Sequence, residues 1–461
     1  MAGLDTAPVV VDAEGQPAAC AGSESFCVRL WQHMRIVAGG EARVCCAYLG
    51  KSVAQNGKPV SADHQSLMEI WNADTMRELR REMVAGRPIA GCEVCNAIDA
   101  RGGVSFRTSD NAAWERDYFN DQRPTIDAMM TDAIASDFYL PKLPTTIEIE
   151  IGNICNLKCR MCSSFSSSRI AKDPVHRKWD GLQSAHYDDP EHDRHAGMVR
   201  RVGPIEKLFD EVTAETGSHV RSLYFLGGEP LMVREIPRLL ERLVAAGRAQ
   251  QISLLFISNG TMVPEWLTLA SRFRRLDLAI SVDGYGDQYE YIRYHGHWSK
   301  LAKNFGVFKQ IPNVYPQVTT TIQVNNALHL TNLFRYLDSI EMGFTGYLLH
   351  TPGYLAVGAL PSSIRRLAAA RLKDYAEHDC HPRHRALVLS FAAEFEVGDH
   401  AGDPGRLRDF MLFTNDLDAT RGQSIHHTDR ELVELLGQAG YPWLQETLHA
   451  PVASVAQELR R

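Results

Sequence analysis

The sequence predicts an α/β fold: a partial (β/α)6 TIM-like barrel, preceded by an N-terminal cysteine-rich module and followed by a mostly helical C-terminal extension. From Leu143 onward, short apolar segments alternate with segments whose apolar residues recur every three or four positions. This alternation is typical of parallel βα units. The length of 461 residues, with 44% hydrophobic and 23% charged residues, indicates a globular protein of two or three domains.

Six segments have the composition of strands. We predict strands at residues 145–151, 220–226, 252–258, 276–283, 317–324 and 346–350, with amphipathic helices between them. In folds of this class, chemistry is concentrated in the loops that follow the carboxyl ends of the strands. The loop after the first strand is therefore the first place where a site is expected.

The chain is predicted to consist of three parts. Residues 1–142 form the cysteine-rich module, residues 143–360 the barrel, and residues 361–461 the helical extension, whose clearest helix is "SSIRRLAAARLKDYAEH". The polar stretch 163–203 is predicted to be a long loop over the barrel mouth.

Composition excludes several classes of function. The net charge is −7 and no block of Lys and Arg is present, so the electrostatic signature of a nucleic-acid-binding protein is missing. No apolar stretch reaches the length of a membrane span, and the N-terminus lacks the basic flank of a signal peptide. We expect a cytoplasmic protein whose partners are peptides or small molecules.

The cysteines are grouped in a way that favours metal binding. In a cytoplasmic chain they should be reduced thiols rather than disulfides. Cys155, Cys159 and Cys162 lie within eight residues, directly after the first predicted strand. This Cys-x3-Cys-x2-Cys pattern lacks the fourth ligand of a structural zinc site. Three thiolates suit an iron–sulfur cubane that has one open iron, where a substrate or a cofactor can bind.

The segment "CNLKCRMC" resembles the signature loop of the radical S-adenosylmethionine (SAM) enzymes. The resemblance implies that Cys155, Cys159 and Cys162 hold a [4Fe–4S] cluster whose open iron binds SAM. An electron from the cluster then cleaves SAM, and a 5′-deoxyadenosyl radical takes hydrogen from the substrate. Where the family often has an aromatic residue before the last cysteine, this chain has Met161, whose side chain is expected to pack on the adenine.

The resemblance extends to the ends of the later strands. "YFLGGEP" resembles the family motif that holds the SAM amino group, because its glycines allow close approach of the backbone. Arg293 resembles a family position whose guanidinium pairs with the SAM carboxylate. The predicted SAM-binding residues are Gly227, Gly228, Glu229, Ser258, Asn259, Ser281, Asp283 and Arg293. Thr321, Gln323 and Asn325 are further candidates for contact with SAM or substrate, and the residues do not identify a catalytic acid or base.

A second group of cysteines lies upstream of the barrel. Cys27 is followed by Gly40 and Cys45 in a Cys-x12-Gly-x4-Cys pattern, which resembles the start of the SPASM and twitch auxiliary-cluster modules of radical SAM proteins. The predicted ligands of a second [4Fe–4S] cluster are Cys27, Cys45, Cys92 and Cys95. Three alternatives remain open: Cys46 in place of Cys45, a structural zinc ion, and unliganded core thiols.

The expected function is that of an oxidoreductase-type radical SAM enzyme that oxidises or cross-links a ribosomal peptide, with a flavodoxin- or ferredoxin-like electron donor. A sugar, an aminocyclitol or another small metabolite is the alternative substrate. A non-catalytic iron–sulfur or zinc protein for electron transfer is the alternative class. The remaining candidates are interpreted as solvated histidines and a lone thiol: His186, His192, His195, His426, His427 and Cys380.

Overall fold

The computed structural model describes residues 26–100, 103–115, 126–183, 205–397 and 402–446. Twelve strands lie in this part of the chain. They are β1 His33–Ile36, β2 Ala42–Arg43, β3 Ala54–Gln55, β4 Lys58–Pro59, β5 Thr146–Glu150, β6 Lys158–Cys159, β7 Ser222–Leu226, β8 Ser253–Ser258, β9 Arg275–Ser281, β10 Arg293–Tyr294, β11 Val314–Ile322 and β12 Gly343–Leu348.

Helices connect these strands and dominate the last hundred residues. The α-helices of the described ranges are α1 Arg29–Gln32, α2 Leu67–Trp71, α3 Asp74–Val84, α4 Glu93–Asp99, α5 Phe106–Glu115, α6 Ile126–Ala135, α7 Pro174–Gln183, α8 Ile205–Thr213, α9 Glu235–Ala245, α10 Asp287–Ile292, α11 Trp298–Gln310, α12 Leu330–Ser339, α13 Ser362–His378, α14 Pro382–Glu396, α15 Pro404–Arg421, α16 Ile425–Thr428 and α17 Arg430–Gln438. Short 3-10 helices are Glu215–His219, Pro230–Met232, Ala249–Gln251, Glu265–Arg272, Gly353–Leu355 and Val357–Ala359.

The predicted α/β class is confirmed, and so is the helical C-terminal region. All six predicted strands are present, as β5, β7, β8, β9, β11 and β12, and helices lie between them. The polar stretch 163–203 differs from its prediction as a loop, because Pro174–Gln183 is helical. His186, His192 and His195 lie outside the described residues.

The chain divides into two compact units, of which the first comprises residues 1–152, 200–256 and 271–276. Its sheet has the strand order β2, β1, β5, β7, β8. β1, β5, β7 and β8 pair in parallel, and β2 pairs with β1 in the antiparallel direction. Ile149, Phe225 and Phe256 are fully buried in this sheet, where Phe225 stacks on Phe256 with 5.0 Å between ring centroids. Such burial provides most of the stabilisation of a core.

A hairpin in this unit explains the glycine of the Cys-x12-Gly-x4-Cys pattern. Gly40 has a φ of 84° between β1 and β2, and its N–H donates to the carbonyl of Val37 at 2.9 Å. A Cβ atom at this position would lie 2.4 Å from Oδ1 of Asp63, so only glycine fits without a rearrangement. Because an antiparallel pair reverses the chain, the hairpin returns Cys45 to the end from which Cys27 leads into β1.

The second unit comprises residues 153–199, 257–270 and 277–461. It contains β11 and β12, which pair in parallel, and most of β9, which borders β11. It also contains β6 and β10, which form a separate two-stranded antiparallel ribbon. The helices of the C-terminal region belong to this unit, so the loop with the three cysteines and the tail share one body.

Among the described residues, no helix combines the length and the apolar character that a membrane crossing requires.

Candidate functional site

The loop that follows β5 presents the three thiols of the Cys-x3-Cys-x2-Cys pattern, all within the second unit. Cys159 is buried, whereas Cys155 and Cys162 are half-buried. Cys159 lies in β6 opposite Arg293 of β10, and the N–H of Cys162 donates to the carbonyl of Cys159 at 3.2 Å. The short ribbon therefore fixes the backbone of the middle thiol, and a tight turn leads to the last one.

Burial decides the protonation of these thiols. Burial raises the pKa of Cys159 and raises that of Cys162 well above its ordinary value, while the guanidinium of Arg293 opposes both shifts. Cys159 and Cys162 are therefore neutral thiols at neutral pH when no metal is bound. A metal reverses this preference because a coordinating thiol is deprotonated outright. The loop consequently favours a bound metal centre over free thiolates.

The thiols fit a cluster rather than a single ion. Within the described residues, no three His, Cys, Asp or Glu side chains lie close enough to hold one metal ion. Thiolates around one zinc ion would lie about 3.8 Å apart, given a zinc–sulfur bond of about 2.3 Å. In a cubane each thiolate binds a different iron, and the sulfur atoms lie farther apart. Cys155, Cys159 and Cys162 remain electrostatically coupled in one loop, so this donor set suits a cubane.

Asn259 lies beside the first thiol, at the end of β8. Its Nδ2 donates to Oδ1 of Asn156 at 2.7 Å and lies 3.8 Å from Sγ of Cys155. Its Oδ1 accepts from the N–H and the hydroxyl of Thr261, and Thr261 in turn accepts from Asn156 at 2.8 Å. Sequence reasoning assigned Asn259 to SAM but missed Asn156 and Thr261. The three side chains hold the residue after Cys155 in place.

Arg293 lies next to the second thiol and is paired. Its Nη1 is 3.8 Å from Sγ of Cys159, and its Nη2 is 2.8 Å from Oδ2 of Asp283. Asp283 is fully buried and also accepts from the N–H of Thr321 at 2.8 Å. Both residues had been assigned to SAM. The structure brings them together as an ion pair that orients the guanidinium against the cysteine loop.

Other predicted polar residues follow strand ends in the same unit. Ser258 is buried and accepts from the N–H of Gly260 at 3.0 Å, while Ser281 is half-buried at the end of β9. Gln323 and Asn325 are buried just after β11 and share one hydrogen bond of 3.2 Å. Nε2 of Gln323 and Oδ1 of Asn325 have no hydrogen-bond partner within the described chain. Since buried polar atoms are normally paired, these two suit a bound ligand.

The "GGEP" segment belongs to the first unit, at the end of β7. Gly227 has a φ of 124°, and a Cβ atom there would lie 2.3 Å from the carbonyl oxygen of Gly152. The N–H of Gly228 donates to the same oxygen at 2.7 Å. Glu229 is buried and accepts from the N–H of Leu231 at 2.9 Å, which caps the following 3-10 turn. The glycines therefore permit a close approach of backbone to backbone.

The upstream thiols also come together, in the first unit. The thiols of Cys27, Cys92 and Cys95 are each electrostatically coupled to that of Cys45. Burial raises the pKa of Cys27 to about 12 and that of Cys92 to about 11. Cys46 instead is exposed, and its Sγ lies 3.5 Å from Nη1 of Arg29. The arrangement favours Cys45 over Cys46 as the partner of the other three.

Two residues between the ligands of the signature loop contact the tail of the chain. Arg160 is 1% exposed, its guanidinium lies 3.6 Å from the ring centroid of Tyr291, and it forms an ion pair with Asp418 of α15. Met161 packs with Tyr291 and Ile425 in an apolar cluster, which also includes Ile292, Val433 and Trp443. The side chain of Met161, which is predicted to pack on the adenine of SAM, thus packs on apolar side chains of the protein.

Within the described residues, the α/β fold carries two separate groups of free cysteines, three in the loop after β5 and five upstream of it. Residues 149–321 match the profile of the Radical SAM superfamily, and residues 27–96 match that of the SPASM iron–sulfur cluster-binding domain. The chain thus contains a segment similar to a radical SAM domain, preceded by a segment similar to a SPASM domain. No curated protein sequence matches the chain.

Solved structures that match the chain include native anSMEcpe with bound AdoMet, at 20% identity and a TM-score of 0.35, covering 51% of this chain and 61% of that one. Streptococcus suis SuiB bound to precursor peptide SuiA matches at 12% identity and a TM-score of 0.38, covering 66% of this chain and 64% of that one. The chain thus spans less than two thirds of the length of these proteins. Likenesses at such scores do not transfer a substrate or a reaction.

The two matched domains define the cofactors. A radical SAM domain carries a [4Fe–4S] cluster and uses SAM, and the SPASM domain adds a further iron–sulfur cluster. The predicted cofactors are therefore confirmed, and iron–sulfur replaces zinc as the centre expected at the upstream cysteines. The assignment of each cluster to individual cysteines remains a prediction.

Proposed function

We propose that this protein is a radical SAM enzyme in which Cys155, Cys159 and Cys162 hold the cluster that cleaves SAM. When bound, that cluster supplies an electron to the sulfonium of SAM, which yields methionine and a 5′-deoxyadenosyl radical. One observation carries the proposal: three electrostatically coupled thiols lie in one loop, Cys159 buried and Cys155 and Cys162 half-buried, and the Cys-x3-Cys-x2-Cys pattern contains no fourth ligand.

The residues around the loop have separate tasks in this proposal. Arg293, oriented by Asp283, places positive charge against Sγ of Cys159 and stabilises its thiolate form. Asn259 fixes Asn156 and thereby the backbone beside Cys155. Nε2 of Gln323 and Oδ1 of Asn325, which have no hydrogen-bond partner within the described residues, are available to orient SAM or the substrate. Their burial also excludes water, which would otherwise quench a radical.

The proposed second centre lies in the first unit, at Cys27, Cys45, Cys92 and Cys95. Four thiols complete the coordination of a cubane, so a cluster there has no open iron and serves to transfer electrons. We propose that it accepts an electron from the substrate radical, which makes the overall reaction an oxidation or a cross-link. A ribosomal peptide is the proposed substrate, because radical SAM proteins with auxiliary clusters often modify such peptides; this is analogy with the family.

Cleavage of SAM tests the proposal. After anaerobic reconstitution with iron and sulfide, wild-type protein supplied with dithionite and SAM should release 5′-deoxyadenosine, which chromatography quantifies. A variant with alanine at Cys155, Cys159 and Cys162 should release none above the protein-free background. If wild-type protein with a full complement of iron releases no 5′-deoxyadenosine, the enzyme assignment is wrong and the non-catalytic electron carrier becomes the better interpretation.

A further inference from the structure

The last residue of α15 reaches the ribbon that carries the middle thiol. The guanidinium of Arg421 lies 4.9 Å from the ring centroid of Tyr294, and the hydroxyl of Tyr294 donates to the carbonyl of Arg421 at 3.4 Å. In the ribbon, Tyr294 is opposite Lys158, directly beside the pair formed by Arg293 and Cys159. Arg421 thus contacts the ribbon one residue along from the pair that contains Cys159, a predicted cluster ligand.

The side chain of Arg421 is buried without a polar partner. The residue is 7% exposed, and none of its three guanidinium nitrogens makes a hydrogen bond within the described chain. Neighbouring cations differ in this respect, since Arg160 pairs with Asp418 and Arg293 pairs with Asp283. Within the described residues, Arg421 therefore adds a positive charge near the loop without an ion pair of its own, and the carboxylate of Asp173, which acts on it through space, is already paired with Lys158.

Burying an unpaired charge is costly, and proteins normally avoid it by pairing. Burial and the nearby guanidinium of Arg160 together lower the pKa of Arg421 to about 10, against an opposing effect of Asp173, so the group stays charged at neutral pH. A negative charge at the cysteine loop would provide the missing compensation.

A four-iron cluster with three thiolate ligands has a net negative charge, which increases when it accepts an electron. We propose that Arg421 is the counter-cation of the cluster at Cys155, Cys159 and Cys162, so that the C-terminal tail favours the reduced cluster and raises its reduction potential. The inference rests on the proposed function, because it requires that cluster. It assigns to the tail an electrostatic role in the radical SAM site.

The test replaces Arg421 with methionine, which keeps much of the volume and removes the charge. The reduction midpoint of the EPR signal that responds to SAM is then measured by potentiometric titration of full-length, reconstituted protein. In Arg421→Met the ratio of reduced to oxidised cluster at a fixed potential should fall on the order of tenfold. This change corresponds to a reduction midpoint about 59 mV lower for a one-electron couple. Arg421→Lys, which keeps the charge, should remain near the wild-type midpoint.

Stability of the cluster-free protein distinguishes this role from a structural one. Because an unpaired buried charge is lost, cluster-free Arg421→Met should unfold at no lower denaturant concentration than the wild type. Arg335→Gln, at an exposed ion pair of the same unit, is the control and should leave the midpoint unchanged. Any of three results would overturn the inference. The midpoint is unchanged in Arg421→Met, the cluster-free form of Arg421→Met is less stable than the wild type, or Arg421→Lys shifts the midpoint as much as Arg421→Met does. If the wild type has no EPR signal that responds to SAM, the proposed function itself fails.

Discussion

Replacing Cys155, Cys159 and Cys162 together with alanine is expected to lower the iron content from about eight to about four atoms per reconstituted chain. The loss is expected to be complete at this site because the three thiols are its only predicted ligands, and the SPASM domain retains its own cysteines. Iron and sulfide assays on anaerobically reconstituted protein provide the measurement.

The reciprocal variant is the matched control. Alanine at Cys92 and Cys95 should also remove about four irons, but should leave the cleavage of SAM intact. If the triple variant loses all of its iron, or if it retains zinc instead, the proposal of two independent iron–sulfur centres is wrong. If the reciprocal variant no longer cleaves SAM although its iron content is about four, the proposed division between the two cysteine groups is wrong.

The change Asp418→Ala should lower the free energy of unfolding by about 3–5 kcal/mol, the usual cost when one partner of a buried ion pair is removed. Arg160, whose side chain is fully buried, would lose its carboxylate partner while Gln423 remains at 3.1 Å. Asp418 also accepts from the hydroxyl of Tyr291 at 3.2 Å and from the N–H of Ile425 at 2.7 Å. Denaturant unfolding of the cluster-free protein provides the measurement.

An exposed ion pair of the same unit provides the comparison for Asp418. Asp379 contacts Arg335 at 2.8 Å, and the side chains are about half exposed, so Asp379→Ala should cost no more than about 1 kcal/mol. The double change Arg160→Met with Asp418→Leu should recover most of the loss, because it removes both buried charges. Equal effects of Asp418→Ala and Asp379→Ala would show that the buried pair does not anchor the loop.

The strands and the cysteine loop could be predicted because their signals are local. The alternation in "TTIEIEIG" identifies β5, the apolar run "SLLFIS" identifies β8, and three thiols within eight residues identify a metal loop. By contrast, β1 has only four residues, and its pairing with β5 joins segments more than a hundred residues apart. No short pattern encodes such a pairing.

The surroundings of the cysteine loop could be predicted only in part, because their contacts join residues that are far apart in the sequence. Asn259 and Asp283 are predicted from their positions at strand ends and Arg293 from the family resemblance, but the sequence does not reveal that they are bonded to other protein groups. The ion pair of Arg160 with Asp418 joins residues 258 positions apart. Arg421 is at the end of α15, and no sequence motif identifies it as part of the site. Its significance comes from burial without a partner, which only the structure reveals.

The most direct test of the central claim is the EPR spectrum of the dithionite-reduced protein, recorded with and without SAM. Because Cys155, Cys159 and Cys162 leave one iron without a protein ligand, binding of SAM should change the g values of one signal. That change should be absent from the variant with alanine at all three positions. A wild-type spectrum that SAM leaves unaltered, from protein with a full complement of iron, would contradict the assignment of the radical-initiating cluster to this loop.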